Sequence, residues 1–268
     1  MKRPPGAGQV LAGILALLCG LSREPAWAAP PEPCRIGAEQ DGFILPLDRL
    51  DADQRCRLGA VVNHPTTTGH VGPLRTSISP SLYEFLLDRP VLIAALGHRL
   101  GLGNYEFTAR GPDQYWGNDR DGTQGLLSLV QRHGGTRIYH IDGYHEGRVF
   151  PMVKAKAVIV LKIVPATSST GGPAVDTSLT AYTQLNDPVL SGLVWMLRPL
   201  IGEAVTQKLA TAFEVTSKVG NAIAEDAART LREIAQLPFT DSEERQTFAA
   251  RLQELAQRQA AAVPRWTP

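Results

Sequence analysis

KAKAVIVLKIV, Lys154 to Val164, decides the fold class. Ala155, Ala157, Ile159, Leu161 and Ile163 alternate with Lys154, Lys156 and Lys162. Successive side chains of a strand point to opposite faces, so the segment predicts one buried and one wet face. That is the habit of an antiparallel sheet. Downstream, ATSSTGGPA is a loop and VDTSLTAYTQL a second strand. Its inner face is Val175, Leu179, Ala181 and Leu185, with Thr177 and Thr183 between them. Upstream, Gly134-Gly135 marks a hairpin turn between LLSLV and TRIYHIDGY. The period-two phase of TRIYHIDGY is open, so Tyr139 and His140 compete for the interior. Farther upstream, Tyr105 and Phe107 alternate with polar neighbours. GPDQYWGNDRDGTQG then reads as a turn-rich connection.

The strands are framed by helices. LRTSIS is a short strand that runs into ISPSLYEFLLDRPVL, Ile78 to Leu92. Ser79-Pro80 is an N-cap followed by proline at the first helical position, where its missing N–H costs nothing. Leu82, Phe85 and Leu86 share one face. Pro90 restarts the chain as a second short helix, VLIAALGHRLG, stopped by Gly101 and Gly103. After the last strand, Pro188 opens a helical region that Pro199 kinks or divides. Val205, Leu209, Phe213, Val219, Ile223, Leu231 and Ile234 then recur at helical spacing. They predict one long amphipathic helix, ended by Pro238. Thr240-Asp241-Ser242 starts a final charged helix, read as an appendage.

The ends of the chain speak of export. Lys2 and Arg3 precede the apolar run Val10–Leu18, and Ala26-Trp27-Ala28 is a small-x-small cleavage pattern. Residues 1–28 are expected to be a signal peptide cut after Ala28, with a periplasmic or secreted mature chain. The apolar run is far short of the roughly 20 residues a spanning helix needs. A lipoprotein reading through Cys19 is weaker, because Leu18 stands where a small residue is required. Cys34 and Cys56 remain after cleavage and are expected to pair in an oxidising compartment. Residues 29–73 read as an N-terminal extension stapled by that bond. Within it Asp51 is a candidate N-cap, and Asn63–Pro73 a connecting loop. Residues 74–236 form the main domain and 237–268 the helical appendage.

Strand, two short helices, a run of about five or six antiparallel strands (six to seven in the whole sheet) and a long C-terminal helix: this order resembles the START-like superfamily, the helix-grip fold of polyketide cyclase-like and lipid-transfer proteins. The pieces that carry it are SISPSLYEFLLD, GTRIYHIDGY, KAKAVIVLKIV, and AYTQL with the helix after it. The resemblance implies an α+β helix-grip, a curved sheet wrapped on the long helix with an apolar cavity between them. It also implies a hydrophobic small molecule or lipid as ligand. Leu87, Leu92 and Leu96 of the short helices, with Trp116, are candidate lining residues. So are Tyr139, Ile159, Leu161 and Leu179 of the strands, and Leu209 and Phe213 of the long helix. Taken singly, each residue suits a filled core better than a cavity wall.

Other chemistries find little footing. There is no G-x-S-x-G elbow, phosphate loop or dinucleotide fingerprint. His140, Asp142 and His145 are too few for a zinc set. Asn118–Gly122 lacks the first and last acidic ligands of a calcium loop. His140, Tyr139 or Tyr182 would be the base of a cavity enzyme. No catalytic set, metal or cofactor is expected. With a formal net charge of +1 and no basic block, nucleic acid is not an expected partner. Three readings stand: an exported carrier of a hydrophobic ligand, a cyclase- or hydrolase-type cavity enzyme, and an envelope interaction protein with a filled core. The last would dock through its N-terminal arm and final helix. Transient contact with a membrane or an envelope protein is compatible with each.

Overall fold

The computed structural model describes residues 34–37, 39–40, 43–44, 47–146, 152–185, 191–237 and 242–262. Of these, 39–47, 191–206, 209, 242, 244 and 256–262 are described as backbone alone. The signal peptide, its cut after Ala28, and Pro238 and Thr240-Asp241 as helix punctuation lie outside the described residues.

The fold is α+β. Seven strands form one antiparallel sheet: β1 (Thr67–Thr76), β2 (Glu106–Gly111), β3 (Gln114–Asn118), β4 (Thr123–His133), β5 (Thr136–His145), β6 (Val153–Thr167) and β7 (Pro173–Leu185). Their spatial order is β1-β7-β6-β5-β4-β3-β2. Every neighbour after β1 is thus a hairpin partner, and the first strand closes beside the last. Among the described residues there are six α-helices: α1 (Ala52–Val62), α2 (Pro80–Leu87), α3 (Pro90–Arg99), α4 (Ser191–Glu225), α5 (Ala227–Ala235) and α6 (Ser242–Ala262).

Local rules account for most boundaries. The Ser79 hydroxyl accepts from the Leu82 N–H at the start of α2. Asp51 caps α1 in a reciprocal box with Gln54. Gly134 and Gly135, at φ 55° and 75°, supply the two left-handed residues of a two-residue hairpin turn between β4 and β5.

Five expectations are corrected. Asn63–Pro73 is not all loop: β1 begins at Thr67, so the boundary at residue 74 falls inside a strand. Proline and glycine misled there. β1 is an edge strand with a register shift between Val71 and Leu74, the one kind of place in a sheet where proline is tolerated. Gly72 sits at φ 103°, and a Cβ on it would lie 2.5 Å from the Thr177 carbonyl oxygen. GPDQYWGNDRDGTQG is not simply turns, for it contains β3. The helix expected to run to Gln236 breaks at Asp226, whose side chain accepts from the Arg229 N–H and restarts the chain as α5.

The other two corrections concern burial. β6 is not wet on its second face at the centre: Val158 and Val160 are buried with Leu50, Leu58, Val61, Val62, Ile138 and Tyr182. α1 covers that outer face, so the N-terminal segment is a structural layer. α6 is not a free appendage either. Phe248 and Leu252 are fully buried, and the Phe248 ring stacks on Phe85 of α2 at 5.3 Å.

The inner face carries the larger core. Ile159, Leu161, Ile163, Val175, Leu179 and Ala181 meet α2, α3, and Val215, Val219 and Ile223 of α4. α4 comes close to β1 at Gly220, where a Cβ would stand 2.4 Å from the Thr76 methyl. Asn221 locks the approach by accepting from the Ser77 N–H at 2.8 Å. Cys34 and Cys56 are joined as a disulfide, tying α1 to the segment before it.

Candidate functional site

Register dictates which side chains converge. Tyr115 pairs with Leu127, Leu129 with Tyr139, Tyr139 with Ile159, and Leu161 with Leu179, so all seven point to the inner face. Above them lie Leu86 and Leu87 of α2, Ile93 and Ala94 of α3, and Ala212 and Phe213 of α4. Together with Tyr105 and Phe107 they enclose a cavity of about 170 Å³. Its lining is aliphatic and aromatic apart from Thr216 of α4 and one corner, formed by Asp88, Asp113 and Arg132 beside Tyr139. Asp113 and Arg132 are also exposed, so the cavity meets solvent at that corner.

The corner has a definite construction. Arg132 and Arg137 are cross-strand partners on β4 and β5. Two like charges directly opposite each other repel. Here one carboxylate lies between them: Asp88 takes Arg137 on Oδ1 and Arg132 on Oδ2, the latter at 3.1 Å. Arg137 is 2% exposed, and its other terminal nitrogen donates to the Glu84 carbonyl at 3.3 Å. Asp88 is itself the C-cap of α2, two residues before Pro90. The break between the two short helices is therefore anchored to the sheet by an ion pair whose arginine is buried and whose carboxylate is partly exposed. Tyr139 follows Arg137 by two residues on β5, so its phenol shares the inner face with the guanidinium. Burial holds that phenol above the ordinary tyrosine range, and Arg137 only partly offsets it. At neutral pH Tyr139 keeps its proton, a donor and not a base.

A second charged link lies at the far turn. Lys208 Nζ on α4 binds Asp119 Oδ2 and Asp121 Oδ2, each at 2.8 Å. An ammonium thus occupies the centre of the acidic turn Asn118–Gly122. Asp119 Oδ1 accepts from the backbone N–H groups of Asp121 and Thr123.

Of the residues proposed from the sequence, the structure gathers Leu87, Tyr139, Ile159, Leu161, Leu179 and Phe213 around the cavity. Leu92 and Leu96 do not line it. They are packed in the core, while Pro90, Ile93 and Ala94 present the cavity-facing side of α3. Trp116 is on the opposite sheet face from Tyr115. Leu209 lies on α4, its side chain outside the described residues. His140 and Tyr182 are on the outer face, paired through Val158 and away from the cavity. Burial depresses His140 below the ordinary histidine range, against the pull of Asp142. His140 and His145 point to opposite faces of β5. Among the described residues no three His, Cys, Asp or Glu side chains gather as a metal set.

Sequence reasoning missed Asp88, Arg132 and Arg137. An arginine sharing parity with Tyr139 and Ile141 was the available signal. It was masked because both faces of β5 are apolar, one toward the cavity and one toward α1.

No family model matches the chain, and no curated protein does. Among solved structures, a conserved protein from Geobacillus kaustophilus is 10% identical, with a TM-score of 0.42 over 58% of this chain and 94% of its own. A protein from Thermus thermophilus is 12% identical, with a TM-score of 0.32 over 58% and 97%. Both likenesses are too slight to bear on function.

Proposed function

We propose that this chain is an exported binding protein for a small hydrophobic molecule, with a START-like helix-grip architecture in which α4 lies across the inner face of the sheet. The observation that carries the reading is the apolar cavity between sheet, short helices and α4. Apolar cavities of about 150 Å³ stay dry and accept benzene-sized molecules, whereas pockets for drug-sized ligands span about 300–1,000 Å³. A volume of about 170 Å³ therefore favours a single ring or short chain over a whole lipid. The enzyme reading loses His140 and Tyr182 to the outer face and keeps only Tyr139, a phenol held protonated. The interaction reading loses both docking elements, since α1 and α6 spend their apolar faces on the protein's own core. Cys34–Cys56 and the expected signal peptide support an oxidising compartment. Among the described residues no helix is long and apolar enough to cross a membrane.

The test uses toluene as probe. Titrated into the purified protein and followed by thermal unfolding, a ligand at a hundred times its Kd stabilises by about 2.7 kcal/mol. Ala94→Phe fills the cavity from α3. It should keep the circular-dichroism spectrum and abolish the toluene shift. An unshifted melting curve for the wild type at toluene saturation in water would sink the proposal.

A further inference from the structure

The open sheet has two edges, and they are built differently. β1 carries Pro73, the positive-φ Gly72 and a register shift between Val71 and Leu74. Such devices keep a further strand from pairing. β2 forms the opposite edge with Glu106-Phe107-Thr108-Ala109-Arg110. These five residues contain no proline, and all but Phe107 are exposed. Among the described residues their backbone makes no hydrogen bond outside the β2–β3 ladder. The register shift between Ala109 and Gly111 ends the regular strand at Arg110.

Charges on an edge strand ordinarily repel a second strand. Here they are self-complementary. Glu106 and Arg110 stand two residues to either side of Thr108. When two copies of β2 pair antiparallel about Thr108, Glu106 of each copy meets Arg110 of the other. Phe107 meets Ala109 in the same way, and Thr108 meets its own equivalent. Opposite charges placed directly across a strand pair attract. Arg110 has no ion pair among the described residues. Glu106 takes Arg120 on Oε1, and its Oε2 accepts nothing among the described residues.

We infer that two copies of this chain pair through β2, about a two-fold axis at Thr108, joining their sheets into one. The inference does not depend on what the cavity holds. Five paired residues bury less than a standard interface, so the dimer is weak, with a Kd between about 1 μM and about 1 mM.

Sedimentation equilibrium of the purified protein across that range tests it. The wild type should pass from monomer to dimer. Arg110→Glu and Glu106→Arg each set like charges opposite one another at both ends of the pair. Each should weaken the dimer about tenfold or more. Both positions are exposed, so both variants should keep the wild-type circular-dichroism spectrum. Mixed together, the two variants are complementary at both ends and should recover the dimer. Independently of any variant, hydrogen-exchange protection in β2 should rise with protein concentration. A wild type still monomeric at about 1 mM overturns the inference and leaves the edge to a strand of another protein. A dimer that survives both charge reversals lies on another surface and overturns it too. So does a mixture of the two variants that stays monomeric.

Discussion

Asp88 is one carboxylate with two arginines, and removing it has unequal consequences for them. Arg132 is half exposed and would turn to water. Arg137 is buried and would keep its charge with the Glu84 carbonyl as its remaining hydrogen-bond partner among the described residues. Breaking a buried pair from one side is destabilising by about 3 kcal/mol or more. Asp88→Ala should therefore lower the urea-extrapolated stability by about 3 kcal/mol. Arg75→Ala, which removes the exposed pair with Asp176, should cause no resolvable loss. Equal losses in the two variants would refute the anchoring role. This corner was also the least legible part of the sequence. Leu87, Ile159, Leu161, Leu179 and Phe213 were legible because apolar periodicity marks an inner face, whereas the open phase of its strand left Tyr139 competing with His140. Asp88 and Arg137 were not, because an ion pair 49 residues apart leaves no periodic trace.

Elements were legible where punctuation and period agreed. Ser79-Pro80, Pro90 and Gly134-Gly135 marked boundaries that the backbone follows. They failed where edge position overrides local chemistry, as in β1, or where a single capping aspartate interrupts a helical period, as at Asp226. Burial of α6 was illegible for another reason: its apolar residues Phe248 and Leu252 are an i, i+4 pair on a largely polar helix. Phe248→Ala should cost about 3–5 kcal/mol in urea unfolding, since it empties a buried site and strips Phe85 of its stacking partner. A surface-helix value below about 0.5 kcal/mol would return α6 to the status of an appendage. The link between α4 and the β3–β4 turn gives a pH signature. Burial raises Asp119, but Lys208 and two backbone N–H groups outweigh it and leave the carboxyl below its ordinary range. Burial lowers Lys208, but Asp119 and Asp121 outweigh it and hold the ammonium above its range. The depressed acid contributes stability above about pH 4 and loses it as pH falls through the folded value. The raised base contributes below about pH 10 and loses it as pH rises through the folded value. The stability difference between wild type and Lys208→Met should thus be flat from about pH 5 to 9 and shrink at both ends. A difference that does not vary between pH 2 and 11 would show the link to be electrostatically idle.

For the whole molecule, the sheet is a wall shared by two cores. Ile159 and Leu161 serve the cavity side while Val158 and Val160, their neighbours in sequence, serve α1. Disturbing the outer layer must therefore reach the sheet without reaching the cavity lining directly. The disulfide offers a clean handle, because Cys56 lies on α1 and Cys34 precedes it by 22 residues. Reducing a cross-link of that span relaxes the unfolded chain and costs about 3 kcal/mol. For a domain of this size that is roughly a 6–12 °C fall in Tm. Because the strands carry both cores, the fall should appear as one cooperative transition for the reduced protein and for Cys34→Ser with Cys56→Ser. Toluene affinity measured well below the transition should change less than twofold, since α1 contributes no side chain to the cavity. Two separated transitions in calorimetry would mean that α1 melts as an independent layer. A large loss of toluene binding would mean that the outer layer sets the shape of the inner one.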